Sequence, residues 1–168
     1  SCEEICDYLN HYLPEDIAVL SVEEAAPRFH ARLNAVRKTY VYRIWNAPVK
    51  NVFRRRFTTW IQKPLDLDAM EQAATLLCGT HDYRAFCSLK KFKKSTVRTI
   101  EKIEIGKMGQ EIRISYTGDG FLYHMVRILT GTLVEVGLGL RKPEEMTEIL
   151  EGQDRTKAGR LMPPEGLT

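Results

Sequence analysis

The sequence predicts an α+β fold, an antiparallel sheet backed by helices, and three observations carry that prediction. Residues 97–105 and 111–116 are alternating runs joined through Lys107-Met108-Gly109, the pattern of a hairpin. Residues 37–45 repeat the period of two, with Tyr40, Tyr42 and Ile44 on one face and Thr39, Val41, Arg43 and Trp45 on the other. Apolar residues at helical spacing occupy 68–78 and 121–136, so helices alternate with strands that pair through hairpins. The chain has 168 residues, 43% hydrophobic and 28% charged, which suits one globular domain with its own core. It contains no apolar run of membrane-spanning length and no signal-peptide pattern.

In chain order, Ser1 to Tyr12 reads as an amphipathic helix with Ile5, Leu9, Tyr12 and Leu13 on one side and Pro14 after its end. Ile17 to Val22 reads as a strand, and Phe29-His30-Ala31-Arg32 leads into the strand at 37–45. A short strand is expected at Thr58–Ile61. Asp68-Ala69-Met70-Glu71 has the form of a capping box opening a helix that buries Met70, Ala73, Ala74 and Leu77 and stops at Gly79. A polar segment with His81, Asp82, Arg84 and Ser88 follows, then a lysine-rich loop and the hairpin. Gly118-Asp119-Gly120 turns the chain into a helix, with Asp119 as the expected cap. Pro143 falls in the first turn of a short helix carrying Glu144 and Glu145. The C-terminal stretch 161–168 reads as a loop entering a strand.

Net charge is +3 but unevenly distributed. Arg54-Arg55-Arg56 is one basic block, and Lys90, Lys91, Lys93, Lys94 and Arg98 form another; acids gather at 3–4, 23–24 and 144–151. Such segregation beside aromatics fits a polyanion-binding face, and it equally fits solvated loops. The four cysteines, Cys2, Cys6, Cys78 and Cys87, show no zinc spacing and read as free thiols in a reducing cytoplasm.

The helix after the Gly118–Gly120 turn is apolar on nearly every side, yet carries Arg127. A guanidinium keeps its proton, so burying it demands a counter-charge. The positions three and four residues away are Tyr123, His124, Thr130 and Gly131, none of them a carboxylate. Either the side chain snorkels to solvent, or the anion comes from elsewhere in the fold, a ligand or a partner.

Four stretches together resemble the bacterial tRNA pseudouridine synthase A family. They are Phe29-His30-Ala31-Arg32 with Lys38-Thr39-Tyr40-Val41-Tyr42; Gly79-Thr80-His81-Asp82-Tyr83-Arg84-Ala85-Phe86; Gly120-Phe121-Leu122-Tyr123-His124-Met125-Val126-Arg127 with Gly131; and Asp154-Arg155-Thr156 followed by Glu165-Gly166-Leu167. The resemblance implies an isomerase that converts uridine to pseudouridine in the tRNA anticodon stem-loop, without cofactor or metal. It implies a homodimer in the cytoplasm and a sheet built of ferredoxin-like halves. On the matching positions, Tyr40 is the tyrosine that packs against the target base and Leu167 is the apolar residue on its other side. Arg127 is the arginine that pairs with the catalytic aspartate. Arg32, Lys38, Lys90, Lys91, Lys93, Lys94 and Arg98 are the expected RNA contacts.

One departure from the family pattern concerns that aspartate. The Gly-Arg-Thr-Asp motif that carries it in the family is absent from these residues. The expectation is therefore a C-terminal domain, with residues 1–28 linking it to an absent half, a last strand cut after Thr168, and no activity by itself. A different class also fits: a non-catalytic RNA-binding module that stacks bases on Tyr40 and Tyr42, although the glycine-rich signature of RNA-recognition sheets is missing. A dimerisation domain is a third reading.

Overall fold

The computed structural model describes residues 1–168, which form two compact units, Ser1–Ala35 and Val36–Thr168. In the first, α1 (Cys2–Tyr12) begins with a complete capping box, the Ser1 hydroxyl accepting from Glu4 N and the Glu4 carboxylate taking the Ser1 amino group. The helix buries none of its residues; Ile5 is 50% exposed and Tyr12 69%. The strand expected at 17–22 does not form. A strand needs a neighbouring backbone, and here the Asn10 side chain takes that place, donating to Val19 O at 2.8 Å and accepting from Val19 N at 2.8 Å.

The second unit is a five-stranded sheet with helices packed on one face. Its strands are β1 (Lys38–Asn46), β2 (Thr59–Ile61), β3 (Gly79–Asp82), β4 (Val97–Met108) and β5 (Glu111–Gly118), in the order β2-β1-β5-β4-β3. The pairs β1–β5, β4–β5 and β3–β4 are antiparallel, while β2 runs parallel to β1. The α+β class holds. Pairing through hairpins holds for β4–β5 alone, because β1 reaches across the sequence to β5 and β3 joins β4 through a long loop.

Period-two alternation decides which face is buried. Tyr42 and Ile44 on β1 and Ile112, Ile114 and Tyr116 on β5 have no exposed surface. On β4 the apolar positions change parity, from Ile100 to Ile103 and Ile105, and the structure absorbs this with a bulge at Ile100/Lys102. One extra residue, Glu101, restores the inward register.

The helices that complete this core are α2 (Leu67–Leu76), α3 (Met125–Gly137) and α4 (Glu145–Gly152). The cap of α2 is Asp66, which accepts from Ala69 N at 3.0 Å, rather than Asp68; the buried side is Met70, Ala73, Ala74 and Leu77 as expected. The polar segment after it supplies edge strand β3. Gly79 starts that strand at φ +111, and the buried Tyr83 hydroxyl donates to Leu77 O and Gly79 O.

Helix α3 is buried nearly all round, as its composition predicts. It starts at Met125, so Phe121 and Leu122 lie in the loop before it, and Asp119 does not cap it. Asp119 instead closes the top of the hairpin, its carboxylate accepting from Thr99 N at 3.0 Å and its own N–H donating to Thr99 O. The residue at the helix start is His124, held at φ +63 in the left-handed region.

Beyond α4 the chain crosses back over α3. Arg155 donates to the carbonyls of Ala158 and Gly159, Gly159 N donates to the Thr132 hydroxyl, and Arg160 N to Glu135. The crossing is close: a Cβ on Gly131 would fall on the Arg160 carbonyl oxygen. The chain then reaches the edge of β1, where Leu167 bridges Tyr42 and Thr168 exchanges two backbone hydrogen bonds with Val41.

Candidate active site

Three of the predicted site residues come together at one cavity. Tyr40 from β1, Arg127 from α3 and Leu167 from the C-terminal segment line a pocket of about 180 Å³ with Phe121, His124 and Pro164. Each is delivered by a different local rule. Tyr40 shares the inward face of β1 but sits at its open end, so its ring is half-buried while Tyr42 two residues on is sealed. Leu167 arrives because 164–166 form a 3₁₀ turn that drops the chain onto the β1 edge. Arg127 projects from the first turn of α3 towards the pocket.

The walls are apolar and aromatic. Phe121 meets Tyr40 edge-on, with ring centroids 5.3 Å apart and planes at 89°. Beneath them the Tyr42 hydroxyl donates to Pro163 O at 2.6 Å and lies 2.6 Å from the Thr59 hydroxyl, which ties the C-terminal segment to β1 and β2. Burial pushes the Tyr42 pKa up to about 12, with the Thr59 hydrogen bond and the Arg127 charge opposing it, so the phenol stays a neutral donor.

Arg127 is half-buried, and the one protein hydrogen bond of its side chain runs from Nε to Met162 O at 2.6 Å. None of the chain's ion pairs includes it. The Nε bond fixes the plane of the guanidinium and leaves its two terminal nitrogens for an anion. Beside it His124 has a lowered pKa, through loss of hydration first and the Arg127 charge second. The His124 ring stacks on Tyr123 at 3.7 Å and its Nδ1 lies 3.0 Å from the Ser88 hydroxyl.

Sequence reasoning did not assign Phe121, His124 or Pro164 to the pocket. The signal was present for two of them, since Phe121 and His124 lie inside the 120–127 motif that carries Arg127. The other motifs turn out to be architectural. The Gly79–Phe86 stretch builds β3 and buries Tyr83 and Phe86, and Asp154-Arg155-Thr156 shapes the crossing that brings Met162 to Arg127.

The expected RNA contacts are dispersed. Lys90, Lys91, Lys93 and Lys94 are all exposed on the loop between β3 and β4, around a half-buried Phe92. Arg98 is half-buried and donates to the carbonyls of Ser95 and Val97, so it braces that loop from inside. Lys38 begins β1, opposite Gly118. Arg32 is exposed in the first unit, in a turn where the His30 ring accepts from its backbone N–H. The block at 54–56 is divided: Arg54 pairs with the buried Glu111 at 2.7 Å, while Arg55 and Arg56 stay exposed without a carboxylate partner.

A half-buried arginine without an acid partner, beneath a slot walled by aromatic and apolar side chains, is an arrangement with room for a planar ring beside an anion. The chain belongs to the tRNA pseudouridine synthase family, whose sequence profile matches residues 73–168. It is 49% identical over 160 residues to the tRNA pseudouridine synthase A of Brevibacillus brevis, covering 95% of this chain and 66% of that protein. To tRNA pseudouridine synthase A 2 of Clostridium tetani it is 46% identical over 159 residues, covering 95% and 64%. To tRNA pseudouridine synthase A of Geobacillus kaustophilus it is 42% identical over 167 residues, covering 99% and 65%. The chain spans just under two thirds of the length of these relatives.

Proposed function

We propose that these residues form the base-binding and electrostatic side of an active site that isomerises uridine to pseudouridine in the anticodon stem-loop of tRNA. The observation that carries this reading is the Arg127 guanidinium, fixed by Met162 O and open towards a pocket walled by Tyr40, Phe121 and Leu167. A uracil drawn out of its stack fits between such walls. The reaction breaks the bond between ribose C1′ and uracil N1 and makes one from C1′ to C5; N1 gains a proton and C5 loses one, so no co-reactant is consumed. The two free nitrogens of Arg127 hold the catalytic carboxylate ionised and oriented, through a charge-assisted and bidentate pair. That carboxylate is supplied from outside residues 1–168, since no acid in the chain pairs with Arg127. The complete protein acts as a homodimer in the cytoplasm.

The test is pseudouridine formation on tRNA by the complete protein. Arg127→Met abolishes turnover while tRNA binding persists, and Arg127→Lys, which keeps the charge but loses the planar fork, is nearly as damaging. Turnover by Arg127→Met at the parent rate would remove the guanidinium from the mechanism.

A further inference from the structure

A second cleft, of about 300 Å³, lies on the other side of the C-terminal segment, between the end of β1, β2 and the loop that joins them. Pro163 and Glu165 face it, while Pro164 and Leu167 face the Arg127 pocket, so the two cavities share one thin wall. Its aromatic surface is Trp45 and Trp60, register partners on the parallel β1–β2 pair. Both indole N–H groups are committed to the joining loop, Trp45 donating to Val49 O at 3.0 Å and Trp60 to Ala47 O at 2.9 Å. Those bonds fix the rings through their edges, and the Lys50 ammonium lies over one face of Trp60. The cations are Lys50, whose Nζ sits 4.7 Å from the Trp60 ring centroid, and Arg55; both side chains are exposed. The loop is pinned at its far side by the pair between Arg54 and Glu111, which is 3% exposed and also pairs with Arg113.

Fixed aromatic rings beside exposed cations that have no carboxylate partner make a stacking platform with phosphate partners, the arrangement that holds single-stranded nucleic acid. We propose that this cleft is a second nucleotide subsite, which stacks a base of the RNA strand next to the nucleotide held at Arg127, with Lys50 and Arg55 on its phosphates. The inference rests on the tRNA reading above and adds the seat of a neighbouring nucleotide. Pairing Trp45 and Trp60 with lysine and arginine is what distinguishes the cleft from ordinary sheet packing, where a tryptophan pair needs no cations around it. Glu165 is the one acid among the lining residues.

Trp45 and Trp60 are the only tryptophans in the chain, so its tryptophan emission reports on this cleft. The experiment titrates an anticodon stem-loop RNA, end-labelled for anisotropy, into the complete protein while tryptophan emission is recorded, the share from this cleft being the difference between the parent and Trp60→Phe. The expected result is quenching that follows the anisotropy curve and shrinks in Trp60→Phe. Trp60→Ala weakens binding by about 5- to 150-fold. Lys50→Ala with Arg55→Ala, at exposed positions that leave the fold intact, weakens binding and lowers the log–log salt slope by about 1.4. RNA binding with unchanged emission, and an unchanged salt slope in the double variant, overturns the subsite and leaves the Arg127 reading standing. Absence of any RNA binding overturns the tRNA reading and the subsite with it.

Discussion

Arg127 shows how one side chain can satisfy part of its demand locally and leave the rest for function. A fully buried guanidinium without an anion is untenable, but this one is half-exposed and gives one N–H to a carbonyl. Arg127→Met therefore loses a charge-assisted hydrogen bond and leaves the carbonyl of the buried Met162 without that donor, and the stability read from a denaturant melt of the chain should fall by about 1–3 kcal/mol. A loss of several kcal/mol would mean that the arginine is a structural strut. Tyr40 is the second residue to separate roles at the pocket. Tyr40→Phe keeps the ring against Phe121, whereas Tyr40→Ala removes a stacking face worth roughly 1–3 kcal/mol. Pseudouridine formation by the complete protein should thus fall more in the alanine variant than in the phenylalanine variant; equal rates for Tyr40→Ala and parent would exclude Tyr40 from the base site. His124 reports on the same charge. Its folded-state pKa lies below 6.5 because of lost hydration and Arg127, so the unfolded chain binds the proton more tightly. Its contribution to stability is consequently lost as pH falls from 6.5 through the folded value. An NMR titration of His124 should give a midpoint below 6.5 that moves up, though not fully, in Arg127→Met.

At the level of elements, the pocket depends on the crossing of the 155–162 segment over α3. Gly131 lets that segment lie against the helix, and Met162 then reaches Arg127 from both sides, its N–H donating to Arg127 O and its carbonyl accepting from Nε. A methyl group at Gly131 pushes against backbone rather than against a flexible side chain tip. Gly131→Ala should cost about 3 kcal/mol in a denaturant melt. It should also lower turnover in the complete protein, because Leu167 and Met162 ride on the displaced segment. A variant that melts and turns over like the parent would show that the crossing has slack.

At the scale of the whole unit, the sheet separates a helix-packed face from an open polar one, and Lys90, Lys91, Lys93 and Lys94 sit on the loop between β3 and β4. Lys90, Lys91, Lys93 and Lys94 make no ion pair in the chain, so replacing all four with alanine should leave the fold unchanged. Every phosphate that one of these lysines neutralises adds about 0.7–0.9 to the log–log salt slope of tRNA binding, and the fourfold variant should show a slope reduced accordingly. A slope equal to the parent's would identify the run as a solvated loop. Arg54 is a poorer candidate than its neighbours, because Glu111 already neutralises it.

The α+β class, the alternation on β1, β4 and β5, the buried helix α3 and the lack of an acid near Arg127 on its own helix were all legible in the sequence. Each depends on side-chain period and composition within a short window, which tertiary packing had only to agree with. The 120–127 motif contains Phe121 and His124 as well as Arg127, but the sequence did not say that the three line one pocket. What only the tertiary structure decided involves partners far apart in the chain. No local pattern says that β2 runs parallel to β1, or that Asp119 closes a hairpin through Thr99 instead of capping a helix. The strand expected at 17–22 failed for the same reason: Val19 has the residues of a strand around it, but its backbone is taken by Asn10. Strand pairing and pocket closure both require two backbones to meet, and whether they meet is fixed by the packing of the whole sheet rather than by the residues on either one.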